Sequence, residues 1–368
     1  MFALVIIGTW CPGSPLQRSG TLADRIRISV VIPAYNAGLT LDRCLDSLDG
    51  QTVRPFQVIL VDDCSSDGTP VIARDRGIKV VSFLERRGPA RARNEGAGLA
   101  EGEIILFLDS DVVVPSDLIE KMSALFEADP LTAAVQTLYS PYCPAADPVS
   151  RYQNFYYFYA LDRIRENCTA TFATWCAAVR KDTFLQVGGF NSSIPEPTVE
   201  DEELGYEIAD RGSRILLARD IQVTHLASYS VAQFMSRRLR MARAQAKSGC
   251  RSVIDRLLRR YINIKETGTH HSRWVVLSIL LVLVSGASII ASLAGGLLGL
   301  SLWRWLLPLA SAGLLLSLMC HLNFFRKAAS YFDRGVLPGF VLLCVLDMAV
   351  LGWGVIVGTA LFIMGKRY

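Results

Sequence analysis

Ile104–Asp111, IILFLDSD, is the stretch that most restricts what this chain can fold into. Five apolar residues run unbroken from Ile104 to Leu108 and end in two carboxylates one residue apart. Such a run reads as a strand covered on both faces, because a half-solvated strand would alternate apolar and polar residues. The strand must end before it carries charge into the core. Asp109 and Asp111 are therefore expected at its carboxyl end, where open α/β sheets bind their ligands. Two hard oxygen ligands on a tight turn suit Mg2+ or Mn2+, which bridge to substrate phosphates rather than sit in an all-protein cage. The plain alternative is a solvated acidic turn capping the next helix, although Ser116 and Asp117 are also available for that.

The preceding residues repeat the pattern. ISVVI, ending at Ile32, is a β-branched run stopped by Pro33-Ala34-Tyr35-Asn36. Leucines at 39, 41, 45 and 48 then have helical spacing. Gln57–Val61 is a second strand, ending in Asp62-Asp63-Cys64-Ser65-Ser66-Asp67-Gly68. A helix, a strand at Ile78–Phe83 and a helix opening at Gly88-Pro89 lead into IILFL. Strands alternating with helices at this spacing imply right-handed βαβ units and a mostly parallel sheet. In such a sheet Pro33–Asn36, Asp62–Asp63 and Asp109–Asp111 share one edge. Three polar ends converging there say more than any one alone.

Several chemistries are excluded. No GxGxxG or GxxxxGK[ST] follows the first strand, so neither a dinucleotide fold nor a P-loop is supported. Nine cysteines form no CxxC pair and four histidines no HExxH cluster, against a disulfide scaffold, a structural zinc site or a zinc hydrolase. A net charge of +4 is too small to argue for nucleic acid. Acidic loops can still hold a nucleotide, accepting hydrogen bonds from base and ribose while a divalent cation meets the phosphates. Arg91 and Arg93 at a helix start would add cationic contacts to a diphosphate, unless they are simply solvated helix surface.

SVVIPAYN, VDDCSSDGT, GPARARNEGAG and LFLDSD, in this order, resemble the family 2 glycosyltransferases. The resemblance continues in AAVRKDTFLQVGGFN and in VEDEELGYEIADRG. It implies a GT-A fold, that of nucleotide-diphospho-sugar transferases, and an inverting, metal-dependent hexosyl transfer. Residue by residue, Pro33, Tyr35 and Asn36 are expected to line the nucleotide pocket. Asp63, with Asp62 beside it, is expected to contact the base. Asp109 is expected to face the ribose and donor sugar, with Arg93, Asn94 and Ser110 completing the donor side. Asp111 is the expected metal ligand, and His225, in VTHLAS, stands where relatives supply another. A lone histidine is otherwise more often structural.

Glu200–Glu203 opens a helix with four acids, which the helix dipole alone would favour. The functional reading is a general base for an attacking hydroxyl. The resemblance places it at Asp201, with Glu200 and Glu202 the neighbours it could be confused with. A polyprenyl phosphate is already an anion and needs no base, so the acid helix favours a hydroxyl acceptor. Asn154–Ala160, NFYYFYA, reads as an acceptor-side or interfacial helix, with plain core packing the alternative.

The remainder is a membrane half. Basic and apolar residues alternate across Gln233–Arg260, the pattern of a helix lying on an anionic membrane surface. Gln233 followed by Arg237 and Arg238 does not complete the QxxRW signature of processive synthases. Three apolar stretches follow, at about Trp274–Leu293, Trp305–Phe325 and Val336–Met364. Each is long enough for a hydrocarbon core of about 30 Å, with Trp274, Trp303, Trp305 and Tyr331 at the interfaces. The basic cluster places the catalytic domain in the cytoplasm, at the inner membrane. Arg326, Lys327 and Arg334 agree; Lys366 and Arg367 do not. MFALVIIGTW is apolar but lacks a basic flank, so residues 1–24 read as a loosely ordered leader rather than a signal peptide.

The expected organisation is a catalytic domain at 25–230, interface helices at 231–272 and transmembrane helices at 273–368. The expected donor is UDP- or GDP-linked, and the acceptor a hydroxyl on a lipid-linked or membrane-held glycan. A processive synthase, a polyprenyl-phosphate glycosyltransferase and a non-catalytic scaffold of the same fold stay open as alternatives.

Overall fold

The computed structural model describes residues 26–194, 198–254, 273–298, 301 and 303–366. The leader, the stretch 255–272 that completes the expected interface region, and Arg367 lie outside them, as does the side chain of Trp303. β1 (Ile28–Ala34), β2 (Gln57–Asp62), β3 (Lys79–Ser82) and β4 (Ile104–Leu108) are parallel, in the order β3-β2-β1-β4. α1 (Leu41–Asp49), α2 (Thr69–Asp75) and α3 (Pro89–Leu99) make the crossovers. All five residues of β4 are buried, as expected of a strand covered on both faces. The registers Ala34↔Asp62 and Asp62↔Ser82 bring the carboxyl ends to one edge.

Beyond β4 the sheet becomes mixed. β8 (Cys176–Arg180) runs antiparallel to β4, β6 (Thr132–Tyr139) antiparallel to β8, and β9 (Arg214–His225) parallel to β6. Two short strands, β5 (Val112–Val113) and β7 (Cys168–Thr169), pair antiparallel with the two ends of β9. α4 (Leu118–Ala128), α5 (Pro148–Asp162), α6 (Lys181–Val187) and α7 (Glu200–Asp210) connect or flank these strands.

α3 lies unusually close to the sheet. A Cβ on Gly96 would sit 2.4 Å from Val31 Cγ1 and 3.2 Å from Val61 Cγ2, both in the apolar layer under the helix. Gly96→Ala is expected to destabilise the fold by about 1–3 kcal/mol through overpacking, read as a lower midpoint in thermal unfolding.

The C-terminal helices are α8 (Val231–Ile254), α9 (Arg273–Leu297), α10 (Trp303–Cys320), α11 (Leu322–Ala328) and α12 (Leu337–Ile363). Trp274–Leu297 and Arg334–Ile363 are each long and apolar enough to cross a membrane. The second expected span is not one straight helix: Arg304–Cys320 and Leu322–Ala328 meet at 55°. The bend falls at His321, which is buried with its Nε2 2.9 Å from Ser278 Oγ. Past it, Phe324 packs on Tyr152 and Phe155 of α5, and Lys327 pairs with Asp162 at 3.0 Å. A continuous helix would carry these groups away from α5, so packing overrides the apolar run.

The aromatics of α5 divide between two faces. Tyr152, Phe155 and Phe158 are buried against Phe234, Phe324 and Phe340, while Tyr157 faces Trp175 on the catalytic side. Tyr331, expected at a membrane interface, packs on Phe155 and Phe158 instead, whereas Trp274 and Trp305 are exposed. α8 differs from a helix lying on a lipid surface. Its Phe234, Arg238 and Ala242 are buried, and Gly354 and Gly358 of α12 let that helix approach its backbone.

Candidate active site

The turn after β4 is fixed by backbone hydrogen bonds: Asp109 N–H donates to Trp175 O at 3.1 Å and Val112 N–H to Asp109 O at 3.1 Å. The acidic turn does not cap α4, whose N-cap residue is Asp117. The chain then enters β5, where Val112 faces His225 in register. That pairing brings His225 Nε2 within 3.4 Å of Asp111 Oδ2, although the residues are far apart in sequence. The Tyr139 ring, 5.0 Å away, backs the imidazole. Burial pushes the Asp111 carboxyl up, but the His225 contact and the Arg237 guanidinium outweigh it and hold it below the usual range. Asp109 goes the other way: burial raises it, Arg93 opposes, and neighbouring Asp111 adds to the rise. About a third of each carboxylate side chain is open to solvent, at 32% for Asp109 and 33% for Asp111. Ser110, between them, is half-buried.

The loops after β1 and β2 are joined to each other. Asn36 takes a left-handed conformation (φ +50°) and its Oδ1 accepts from Ser66 N–H at 2.9 Å. Its own N–H donates to Ser65 Oγ at 2.9 Å. Asp62 Oδ1 accepts from Ser65 N–H at 3.1 Å. Asp63 is buried and ties down the entry to α3, accepting from Arg87 N–H at 2.6 Å and Gly88 N–H at 2.9 Å. Pro33 ends the buried run of β1, and Tyr35 stands 43% exposed with the Arg86 guanidinium 4.2 Å from its ring centre. Arg86 thus links the two loops, with its Nε also 4.0 Å from Asp63 Oδ2.

Arg93 and Asn94 have protein partners. Arg93 is buried and bridges two carboxylates, with Nη2 2.9 Å from Asp109 Oδ1 and Nη1 2.9 Å from Glu200 Oε1. Asn94 locks the chain after α6, donating to Phe190 O at 2.8 Å and accepting from Phe190 N–H at 2.9 Å. A helix-start arginine can face a ligand or the opposite end of the chain, and spacing alone does not distinguish these. Arg93→Met would leave Glu200 as a buried charge without its ion pair, so a loss of about 3–5 kcal/mol is expected. A falling thermal midpoint of purified protein measures it.

The acids of α7 have different partners. Glu200 is committed, accepting from Arg93 and from Thr198 N–H at 2.8 Å. Glu202 Oε1 accepts from Gln245 of α8 at 3.0 Å, and Glu203 from Ser248 and Arg251. Among the described residues Asp201 has only backbone donors, Glu202 N–H at 2.8 Å and Thr174 N–H at 3.5 Å. Burial, followed by the charges of Glu200 and Glu202, pushes its carboxyl well above the usual range.

Asp109, Glu200 and Asp201 open into one pocket, whose other walls include Trp175, Gln153 and Arg237. Trp175 stacks on Tyr139 with ring centres 4.4 Å apart. Arg93 Nε, Gln153 Oε1 and Trp175 Nε1 are buried without a hydrogen-bond partner, the condition of groups that await a ligand or water. Arg237 donates to Tyr229 Oη at 2.6 Å. Sequence reasoning set Arg237 aside because the QxxRW pattern is incomplete. Nothing in the spacing marks Trp175 or Gln153.

Acidic strand ends thus stand on one side of the site and an acid helix on the other. Residues 29–188 match the model of glycosyl transferase family 2. The succinoglycan biosynthesis protein ExoO of Rhizobium meliloti (strain 1021) is 35% identical over 114 residues, 30% of this chain and 33% of that protein. Glycosyltransferase GlyG of Streptococcus pneumoniae serotype 4 is 37% identical over 100 residues, 26% of this chain and 33% of that protein. The chain thus spans about a third of the length of these relatives. The solved mannosyltransferase PcManGT from Pyrobaculum calidifontis, in complex with GDP-Man and Mn2+, superposes with a TM-score of 0.57. It is 21% identical, and the match covers 94% of this chain and 90% of that one. The fold is GT-A, followed by helices apolar enough to anchor it in a membrane.

Proposed function

We propose that the chain is a membrane-anchored, inverting glycosyltransferase that moves a sugar from a UDP- or GDP-linked donor to a hydroxyl on a lipid-linked or membrane-held glycan. One observation carries this reading. Asp201, alone in its acid run in having only backbone partners, shares a pocket with Asp109, and Asp111 follows in the same turn.

The nucleotide would enter over Tyr35 and Asn36, with Asp62 and Asp63 at the base and Asp109 toward the ribose and sugar. Asp111 and His225 form a carboxylate–imidazole pair suited to Mn2+ or Mg2+. Among the described residues no cluster of three metal-ligating side chains occurs, so Asp111 and His225 are the residues that would hold the ion. When bound, that ion supplies charge neutralisation to the departing diphosphate. Arg237, held by Tyr229, offers a cation on the same side. Asp201 takes the proton of the attacking hydroxyl, its raised pKa making it the stronger base. The resemblance to the family implies a single displacement with inversion, and a single base at Asp201 is consistent with it.

The pocket wall sets four acids, Asp109, Glu200, Asp201 and Glu202, against two cations, Arg93 and Arg237. That disfavours a phosphate acceptor and supports a neutral hydroxyl. The catalytic domain would lie on the cytoplasmic side of the inner membrane, a reading supported by the excess of Lys and Arg in the chain just before the first apolar helix. The acceptor chemistry is checked on lipid extracted after incubation with radiolabelled nucleotide sugar. A glycoside bond stable to mild acid is the expected product, and an acid-labile glycosyl phosphate would overturn the hydroxyl assignment.

A further inference from the structure

We infer that Asp347, inside the last apolar helix, is a positioning residue for the active site: it fixes the rotation of α8 through Arg238 and so holds Arg237 over the donor side. The inference rests on the donor-side role proposed above for Arg237.

Asp347 is fully buried midway along a helix of otherwise membrane-spanning character. A carboxylate in such a segment is costly and is retained where it pairs with something. Here it takes Arg238 in a two-bond grip, Oδ1 to Nε at 2.5 Å and Oδ2 to Nη2 at 2.8 Å, and accepts from Tyr152 Oη at 3.3 Å. The Arg238 guanidinium also lies 4.7 Å from the Tyr156 ring centre. One charge pair therefore ties α5, α8 and α12 together.

Adjacent residues on a helix point about 100° apart. With Arg238 fixed toward α12, Arg237 is turned toward the pocket, where it meets Tyr229 at 2.6 Å. The same two faces continue along α8. Phe234, Arg238 and Ala242 are buried at helical spacing, with Gly354 of α12 against Ala242 and Gly358 against Arg243 and Ala246. Arg237 and Met241 line the pocket, and Gln245, one turn on, bonds Glu202 beside Asp201. α8 is thus a rod with one face on the membrane helix and the other on the catalytic acids. A bidentate carboxylate–guanidinium pair fixes rotation in a way that apolar contacts alone do not.

The test uses the full chain in lipid nanodiscs, titrated with UDP and with GDP in the presence of Mn2+. Arg237→Met is expected to weaken binding of the preferred nucleoside diphosphate by about tenfold, the loss of a charge-assisted contact. The paired swap Arg238→Met with Asp347→Leu removes both buried charges together, so its thermal midpoint should be kept. Its nucleotide affinity should nonetheless fall by about as much as in Arg237→Met, and combining all three changes should cost little more. A folded paired swap with native affinity, or fully additive losses, would overturn the inference. Native affinity in Arg237→Met, or binding of neither nucleotide, would overturn the donor-side reading and this inference together.

Discussion

Asp201→Asn is expected to lower kcat by about 10²–10⁴-fold, the usual contribution of a positioned base, while nucleoside diphosphate affinity stays within about twofold. The substitution keeps the shape of Asp201 and an oxygen to accept the shorter bond from Glu202 N–H, gives up the long 3.5 Å contact from Thr174 N–H, and leaves nothing to accept the acceptor's proton. Stability should move the other way. An acid whose pKa is raised on folding stabilises the fold only while protonated, and that contribution is lost as pH rises through the raised value. Burial and the neighbouring Glu200 and Glu202 put Asp201 in this class. Asp201→Asn should therefore unfold at the native temperature or above it near neutral pH, with the difference closing as pH falls. In the native enzyme the rate should drop toward acid with an apparent pKa above the ordinary carboxylate range, and this limb should vanish in the variant. Equal losses in kcat and nucleotide affinity would give Asp201 a structural role instead.

Asp111→Ala is expected to abolish metal-dependent turnover. Asp111 is held ionised by His225 and Arg237 and is a third open to solvent, so its loss removes the one carboxylate of the pair without leaving a buried charge unpaired. The fold should survive, because β5 is held to β9 through its backbone. Titrating Mn2+ in the presence of UDP or GDP, followed by the ion's magnetic resonance signal, separates lost metal binding from a lost chemical step. Retained turnover with unchanged metal dependence would remove Asp111 from the site.

Much of this arrangement was legible in the sequence, for identifiable reasons. The IILFLDSD run could end only where a covered strand meets solvent, and the other strand ends had to share its edge. Both follow from the period and hand of βαβ units. The direction of side chains at helix starts did not follow. Arg93 was read toward a diphosphate, yet it bridges Asp109 and Glu200, a partner 107 residues away. Asn94 is likewise engaged with Phe190. Arg237 was passed over because its motif is incomplete, and only the packing of α8 between α12 and the acid helix turns it inward. The bend within the apolar stretch expected at Trp305–Phe325 is invisible in the sequence for a related reason. Hydropathy counts apolar length, whereas His321 and Phe324 have specific partners that a straight helix would not reach.

The central claim is transfer from a nucleotide sugar at the Asp109–Asp111 edge. The most direct measurement is release of UDP or GDP from a panel of nucleotide sugars by the membrane-embedded chain, with Mn2+ or Mg2+ and after chelation. Release from at least one sugar donor, dependent on the metal and absent in Asp111→Ala, is the expected result. No release from any donor under either condition, or release indifferent to both the metal and Asp111, would contradict it.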